Sequence, residues 1–394
     1  MNPVRLGVIT LLKSAITGDM LPLPEGFDME QALPVLHHHG IQTMGYLGAV
    51  NCGIPKSDAA MQELFRYYCN SVIISQRQLD KIEQLLSSFD ANGIDYMPLK
   101  GTVLKHLYPS HELRPMGDAD ILIRVEQYDR IKPIMESLDF AYDKESEHEL
   151  HWRCPELHVE LHKSLMPSTN HDLYDYYQDG WHLAKPESGH RYQMSLEDQF
   201  VFLFTHFAKH FRGGGIGCRH VVDIWVFLSK HSNLDEGYIC QELDKLHLLE
   251  FYGNLRNLIN AWFFGASWDD KSEFISDFIF SSGVWGDLGA RYLAANARYV
   301  QKSGRVGMAK WRELLGRVFP SFEYTSFRYP VLKKAPVLLP LIWIVRWFQV
   351  LLSRPELVKH RFQILISDNN DDIVAWKQNM DNIGLKYWHN SRFC

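Results

Sequence analysis

Two runs of this chain decide its fold: Met97-Pro98-Leu99-Lys100-Gly101-Thr102, and Arg114-Pro115-Met116-Gly117-Asp118-Ala119-Asp120-Ile121-Leu122-Ile123. They read as a strand ending in a Gly turn, a short helix, a loop, and a second strand that opens on two aspartates. Residues i and i+2 of a strand share a face, so Asp118 and Asp120 aim at one point while Ala119 and Ile121 turn away. Two carboxylates held that close repel each other, and a hard divalent cation is the usual reason to hold them there. A Gly turn ahead of a helix also offers free backbone N–H groups to an anionic phosphate. The pattern predicts metal-assisted chemistry on a phosphate.

Outward from these runs, the composition alternates between strand and helix. Ile94 to Leu99 is apolar and bounded by Gly93 and Gly101, and Asp120 to Val125 forms the second strand. Glu126 to Leu138 reads as a helix in which Pro133 predicts a kink or an early break. Phe140 to Tyr142, Glu149 to Trp152 and Leu157 to Leu161 are further strand candidates. Strands and helices mixed over residues 91–167 predict a small mixed-sheet core.

Both flanks read as helical. Before the core, apolar residues recur at Leu64, Tyr68, Val72, Ile73 and Leu79, then at Ile82, Leu85 and Leu86. His37-His38-His39-Gly40 marks a helix end with Gly40 at C′. Adjacent imidazoles on a helix diverge, which argues against a shared metal there. After the core, Ser195 is an N-cap with Asp198 at N3, a variant of the capping box. It opens a helix through Phe200 to Phe211 that stops at Gly213-Gly214-Gly215, a connector between helices. Further helices are expected from Arg219 and over 236–262, 268–280 and 286–301. The expected class is α+β, with an N-terminal helical region over 1–90, the core over 91–167 and a C-terminal helical region over 168–394.

The chain has 394 residues, 46% of them hydrophobic, enough for a large core. A net charge of −6 leaves no broad basic footprint, which argues against sequence-independent nucleic-acid binding. Cys52, Cys69, Cys154, Cys218, Cys240 and Cys394 are scattered with no C-x-x-C pair, as in a reduced cytoplasmic chain. The N-terminus, Met1-Asn2-Pro3-Val4-Arg5-Leu6, lacks the long apolar run of a secretion signal. Pro336 to Leu352 is strongly apolar but contains Pro340 and Arg346 and is shorter than the roughly 20 residues of a membrane span. A buried helix is the leading expectation for 336–352. The alternative is a helix lying in a membrane interface, with Trp343 and Trp347 flanked by Lys333, Lys334, Arg346 and Arg354.

Two-metal phosphoryl chemistry needs a third carboxylate. Glu160, within His158-Val159-Glu160-Leu161-His162, is the candidate: His158, Glu160 and His162 share one strand face. If that strand lies beside the aspartates, Glu160 completes an acidic triplet. The plain alternative is an edge strand with a solvated face. A rival is a mononuclear zinc site using His158, His162 and His151, although successive positions of one flat strand suit tetrahedral zinc poorly.

The run from Pro98 to Ile123 resembles the uncharacterised nucleotidyltransferase family of the polymerase-β-like superfamily. The resembling residues are Leu99-Lys100-Gly101 and Arg114-Pro115-Met116-Gly117-Asp118-Ala119-Asp120, with Val159-Glu160-Leu161-His162 similar to the third-carboxylate strand. Phe204 to His210 and Arg219 to Ile224 are similar to the family's downstream His-x-x-Lys-His and Asp-Ile helices. Phe319-Pro320, Tyr329-Pro330 and Leu338 to Trp343 look like its C-terminal section. Many superfamily members carry Gly-Ser or Gly-Gly at the phosphate turn, where this chain has Gly101-Thr102 after Lys100. The 17 positions from Gly101 to Asp118 also exceed the spacing in compact members.

The resemblance implies a metal-dependent nucleotidyltransferase that passes a nucleoside monophosphate from ATP or another NTP to an unidentified acceptor. Asp118, Asp120 and Glu160 would bind two Mg²⁺ ions, with Mn²⁺ as an alternative. Lys100, Gly101 and Thr102 would cradle phosphates, and Arg114 is assigned to phosphate contact rather than to pairing with Asp118 or Asp120. His206 with His210, and Arg219 with Asp223, each share a helix face at i, i+4 spacing. With Lys209 they form either a substrate-facing wall or polar pairs tying two helices. The acidic balance favours a small-molecule or protein acceptor over nucleic acid. A non-catalytic nucleotide- or partner-binding module on the same fold is the alternative function.

Overall fold

Short segments assemble into one mixed sheet from β1 (Tyr96–Pro98), β2 (Ala119–Ile123), β3 (Ala141–Glu145), β4 (Glu149–Arg153), β5 (His158–His162), β6 (Lys185–Ser188) and β7 (Arg191–Gln193). The strand order is β3-β4-β5-β2-β1-β7-β6. The β2–β5 and β1–β7 pairs are parallel and the others antiparallel. The computed structural model describes residues 2–168, 170–284, 286–303, 315–316, 318–353 and 370–386. These divide into two units: one runs to His210 and resumes over 216–284, and the other takes Phe211–Gly215 and the described residues from Gly286 onward.

The first unit opens with helices α1 (Pro3–Thr17), α2 (Met29–His38), α3 (Gln42–Asn51) and the 33-residue α4 (Ala59–Ala91). The α2 end is as expected: Gly40 has φ +61°, with Ile41 N–H bonding Leu36 O at 3.0 Å and Gly40 N–H bonding His37 O at 3.1 Å. After β1 come the four-residue α5 (Gly101–Leu104) and, after β2, α6 (Tyr128–Ser137). Pro133 lies inside α6 and does not break it. Ile131, Ile134 and Met135 hold that helix on the sheet, where packing outweighs the lost N–H.

The core that positions the site is one apolar layer. Ile82, Leu85 and Phe89 of α4 join the α6 residues against Ala119, Ile121 and Ile123 of β2, Leu150 and Trp152 of β4, and Val159 and Leu161 of β5. Each Leu, Ile, Val, Phe or Met side chain among them contributes roughly 1.5–3 kcal/mol when fully buried. Val72 and Ile73, expected in the buried stripe of α4, face outward at 39% and 51% exposure. Buried Gln78 stands on the inner side instead, donating to Met116 O at 3.1 Å.

Beyond the core lie α7 (His171–Tyr177), α8 (Leu196–Arg212), α9 (Cys218–Lys230), α10 (Glu236–Lys245), α11 (Leu249–Phe264) and α12 (Asp270–Ser282). The Ser195 cap forms as expected, with Asp198 N–H bonding Ser195 Oγ at 3.1 Å. The stretch after 168, expected to be mostly helical, also gives β6 and β7 to the sheet, and one expected helix is corrected. The helix expected over 236–262 is two helices, broken where His247 adopts φ +53° and Leu248 N–H bonds Leu243 O at 2.8 Å. That is a glycine-type helix stop made by a histidine, so the usual residue signal is missing.

The second unit holds helices Leu288–Ser303, Phe322–Arg328, Val331–Lys334, Leu339–Ser353 and Asn370–Asn382 among its described residues. The buried-helix expectation for 336–352 is corrected. Trp343 and Trp347 do turn inward, packing on Phe319 and donating to Pro320 O at 3.1 Å and Val318 O at 2.7 Å. Leu341, Ile344, Val345, Phe348 and Leu352 are exposed on another side, Phe348 at 63% and Leu352 at 82%. No helix among the described residues is long and apolar enough to cross a membrane. The cysteines Cys52, Cys69, Cys154, Cys218 and Cys240 are free thiols.

Candidate active site

Strand register brings the carboxylates together. On the parallel β2–β5 pair, Asp120 lies opposite Glu160 and Leu122 opposite His162. On the antiparallel β4–β5 pair, His151 lies opposite Glu160 and Glu149 opposite His162. One sheet face is consumed by α4 and α6, so alternation commits Asp120, Glu149, His151, Glu160 and His162 to the other. Asp118 immediately precedes β2, is half-buried, and has no hydrogen-bond partner among the described residues. The expected juxtaposition of the Asp120 and Glu160 strands is therefore present.

The electrostatics of this face are uneven. Asp120 Oδ1 receives Lys100 Nζ at 2.7 Å and His162 Nε2 at 2.8 Å. Burial opposes its charge, but Lys100 and His162 outweigh burial and hold the carboxyl far below the usual range. Glu160 goes the other way: burial, then the charges of Asp118, Glu149 and Asp120, push it up to about 8. Burial and Asp120 also raise Asp118. Glu149 falls to about 2 despite burial, because His148 bonds it at 2.9 Å and His162 lies near. Two carboxyls at the centre thus resist ionisation, a balance that a bound cation would reverse.

The Gly turn is built differently from the expectation. Lys100 has φ +43° and ψ −114°, a strained conformation for a side-chain-bearing residue costing about 1–3 kcal/mol, and this conformation accompanies its ammonium contact with Asp120. Thr102 is buried, with its hydroxyl 3.4 Å from Asp120 O rather than free for a phosphate. Gly101 has no room for a side chain: an added Cβ would lie 2.7 Å from Arg114 Nη1 and 3.3 Å from Met116 Cγ.

Arg114 pairs with neither Asp118 nor Asp120: its Nε and Nη2 donate to the two Asp223 oxygens at 2.9 and 3.1 Å, with side-chain exposures of 6% and 2%, while its Nη1 stands beside Gly101. Tyr108 Oη donates to the same carboxylate at 2.7 Å. Asp223 thus answers Arg114 and Tyr108 rather than forming an i, i+4 bond with Arg219, whose guanidinium donates to Pro115 O at 2.5 Å. The Arg114–Asp223 pair ties α9 to the loop before β2.

The α8 residues separate into two cases. His206 and His210 are 3.1 Å apart at Nε2. Burial and the charge of Lys100 push His206 well below its ordinary value. Burial and Lys100 also bring Lys209 down to about 8, opposed by Glu149, Asp120 and Glu160. His206 and Lys209 therefore both feel the Lys100 charge that also holds Asp120. Sequence reading missed Glu149 and Tyr108. The alternation Glu149-Leu150-His151-Trp152 carried the first signal, since Leu150 and Trp152 are buried in the core and the residues between them must face the site.

Ligand-type groups converge at two places among the described residues: Asp120, Glu160 and His162, and His151, His158 and Glu160, with ligand atoms in each set within 4.8 Å of one another. Asp118 flanks the first set. Residues 25–264, more than half of the chain, match the family described as uncharacterised nucleotidyltransferase. The chain belongs to that family. All seven strands and Lys100 through Asp223 lie inside the match, and nucleotidyl transfer is the general role this nucleotidyltransferase family carries. The family match ends at 264, so the similar-looking Phe319-Pro320, Tyr329-Pro330 and Leu338 to Trp343 stand outside it. No curated protein and no solved structure matches the chain.

Proposed function

We propose that this nucleotidyltransferase moves a nucleoside monophosphate from an NTP to an acceptor, releasing pyrophosphate, in a Mg²⁺-dependent reaction. The observation that supports this most is the register of Asp120 against Glu160 on parallel strands, with Asp118 two residues earlier and the Gly101 turn alongside. The donors fit a hard cation: they are carboxylate oxygens, two of the carboxyls are raised by burial and mutual repulsion, and one lacks any described protein partner. Asp118, Asp120 and Glu160 would hold the metal, two Mg²⁺ ions by resemblance to the family, with Mn²⁺ the alternative. The metal supplies neutralisation of phosphate charge and a more acidic acceptor hydroxyl.

The chain's own contribution is orientation and charge. Lys100, fixed on Asp120, and Lys209 place cationic groups beside the carboxylates, where a triphosphate needs neutralising charge. The acceptor oxygen forms its bond to the α-phosphorus as the α–β anhydride bond breaks, and pyrophosphate leaves with the bonding electrons. The acceptor's proton passes to a base on this face, for which Glu160 is the proposed group. Arg114 acts at a distance, holding the Gly101 turn through its packing and its bond to Asp223. A small-molecule or protein acceptor is favoured, because a net charge of −6 gives nucleic acid little attraction.

The test is incubation with labelled ATP, CTP, GTP or UTP, Mg²⁺ and a cell lysate as acceptor source. Label transfer and pyrophosphate release are expected, both lost on adding EDTA. Asp118→Asn should remove turnover by about a hundredfold or more without lowering the melting temperature, since Asp118 supports no described hydrogen bond. Tight NTP binding in calorimetry with no turnover on any acceptor would instead establish the non-catalytic binding module.

We further propose a peripheral membrane contact through 336–352. Leu341, Ile344, Val345, Phe348 and Leu352 recur at helical spacing on an exposed side, with Lys333 and Lys334 exposed just before them. Co-sedimentation with vesicles containing anionic lipid is expected for the wild type and reduced severalfold in Leu341→Glu/Phe348→Glu. Equal sedimentation of the two proteins would refute the contact.

A further inference from the structure

The sheet face carries a second cluster of which the proposed transfer uses only Glu160. His151 on β4 lies opposite Glu160 on β5, and His158 stands two residues before Glu160 on the same face. Their ligating atoms converge: His151 Nδ1 is 3.2 Å from His158 Nε2 and 3.2 Å from Glu160 Oε1. A ring nitrogen offers either one proton or one lone pair, so His151 Nδ1 cannot serve both neighbours equally through hydrogen bonding. We infer that His151 Nδ1, His158 Nε2 and Glu160 form a nitrogen-rich site for a borderline transition-metal ion of the zinc class, separate from the all-carboxylate position at Asp118 and Asp120.

Two observations carry this. Metal–ligand bonds of about 2.0–2.1 Å in a tetrahedron give ligand–ligand edges of about 3.3 Å, and both distances at His151 Nδ1 are close to that edge. The far nitrogen of His151 is 3.5 Å from Glu149 Oε2, the carboxylate–histidine arrangement that fixes the tautomer of a ligating imidazole. Two histidines and one carboxylate leave open positions for water or substrate, and imidazole selects for zinc-class ions over magnesium. The single-strand objection to zinc does not apply, because the ligands come from two adjacent strands. Glu160 is common to both positions and would bridge them.

The inference stands independently of nucleotidyl transfer and is tested by binding. Co²⁺ is titrated into the metal-stripped full chain and its visible absorption recorded, with Zn²⁺ added afterwards as competitor. One equivalent of Co²⁺ is expected to give an intense ligand-field band that stoichiometric Zn²⁺ removes and millimolar Mg²⁺ leaves. His158→Ala, at a half-exposed position, should abolish the band while circular dichroism stays unchanged. Glu149→Gln should weaken Co²⁺ binding by about 10–100-fold. Asp118→Asn should keep the band although it loses transfer. Absence of the band in the wild type, or its persistence in His158→Ala, would overturn the site. Loss of pyrophosphate release with the band intact would count only against the transfer reading.

Discussion

Asp120→Asn is expected to lower transfer by about a thousandfold and also to destabilise the fold by about 3–5 kcal/mol. The second effect separates it from Asp118→Asn. Asp120 Oδ1 is the shared partner of Lys100 at 2.7 Å and His162 at 2.8 Å, with side-chain exposures of 15% for Lys100, 1% for His162 and 6% for Asp120. Removing the charge leaves the largely buried Lys100 ammonium without its counter-charge, on a backbone already strained. Urea unfolding at pH 7 measures the loss. Adding Lys100→Met to Asp120→Asn should restore much of the stability and none of the activity. A midpoint unchanged by Asp120→Asn would show that the pair contributes nothing to folding.

The sign of the pH dependence follows from the lowered carboxyl. Asp120 in the folded chain ionises below its unfolded value of about 3.9, so its contribution is complete above that pH. As pH falls through the folded value, that contribution is lost. The stability gap between the wild type and Asp120→Asn should therefore be constant near neutrality and shrink in acid.

Asp223→Ala should be as damaging to stability, again by about 3–5 kcal/mol, because it strands the Arg114 guanidinium inside the protein. Arg114 would lose both of its hydrogen bonds to Asp223, Tyr108 Oη would lose its acceptor, and the Arg219 charge nearby would remain. Tyr108→Phe removes one bond and should cost about 1 kcal/mol. Arg114→Lys should not substitute, since an ammonium cannot reproduce the forked contact. The surface pair Arg153–Asp143, with exposures of 56% and 36%, is the internal control, and Asp143→Ala should cost less than about 1 kcal/mol. If Asp143→Ala and Asp223→Ala proved equally mild, burial of the Arg114–Asp223 pair would not be what holds the loop. Activity should fall with Asp223→Ala as well, because Arg114 Nη1 packs against Gly101 and releases the turn when it moves.

Much of the site was legible because a strand repeats every two residues. Asp118-Ala119-Asp120 and His158-Val159-Glu160 each state which side chains share a face, and the apolar residues between them state which face is buried. The Ser195 cap and the Gly40 stop were legible because they depend on neighbours within a few positions. Where the local signal was atypical, reading failed: His247 ends a helix in the backbone conformation usually left to glycine, and the short β6 and β7 carry little alternation. Val72 and Ile73 misled because an apolar residue on a long helix does not say whether anything covers it.

Arg114 shows the limit most clearly. Its place next to Asp118 and Asp120 made a phosphate or an aspartate the natural partner, yet it binds Asp223, more than a hundred residues away. A charged side chain chooses its partner by what folding brings within about 3 Å, and sequence proximity carries no information about that. By itself the sequence determined the residue pattern on which the proposed donor site rests: two aspartates two positions apart, a later glutamate, and a Gly turn between apolar runs. Only the tertiary structure decided that Lys100 and His162 hold Asp120, that Arg114 binds Asp223, and that His151 meets His158 and Glu160. Periodicity encodes faces, but register and long-range packing encode neighbours, and the electrostatics of a site depend on neighbours.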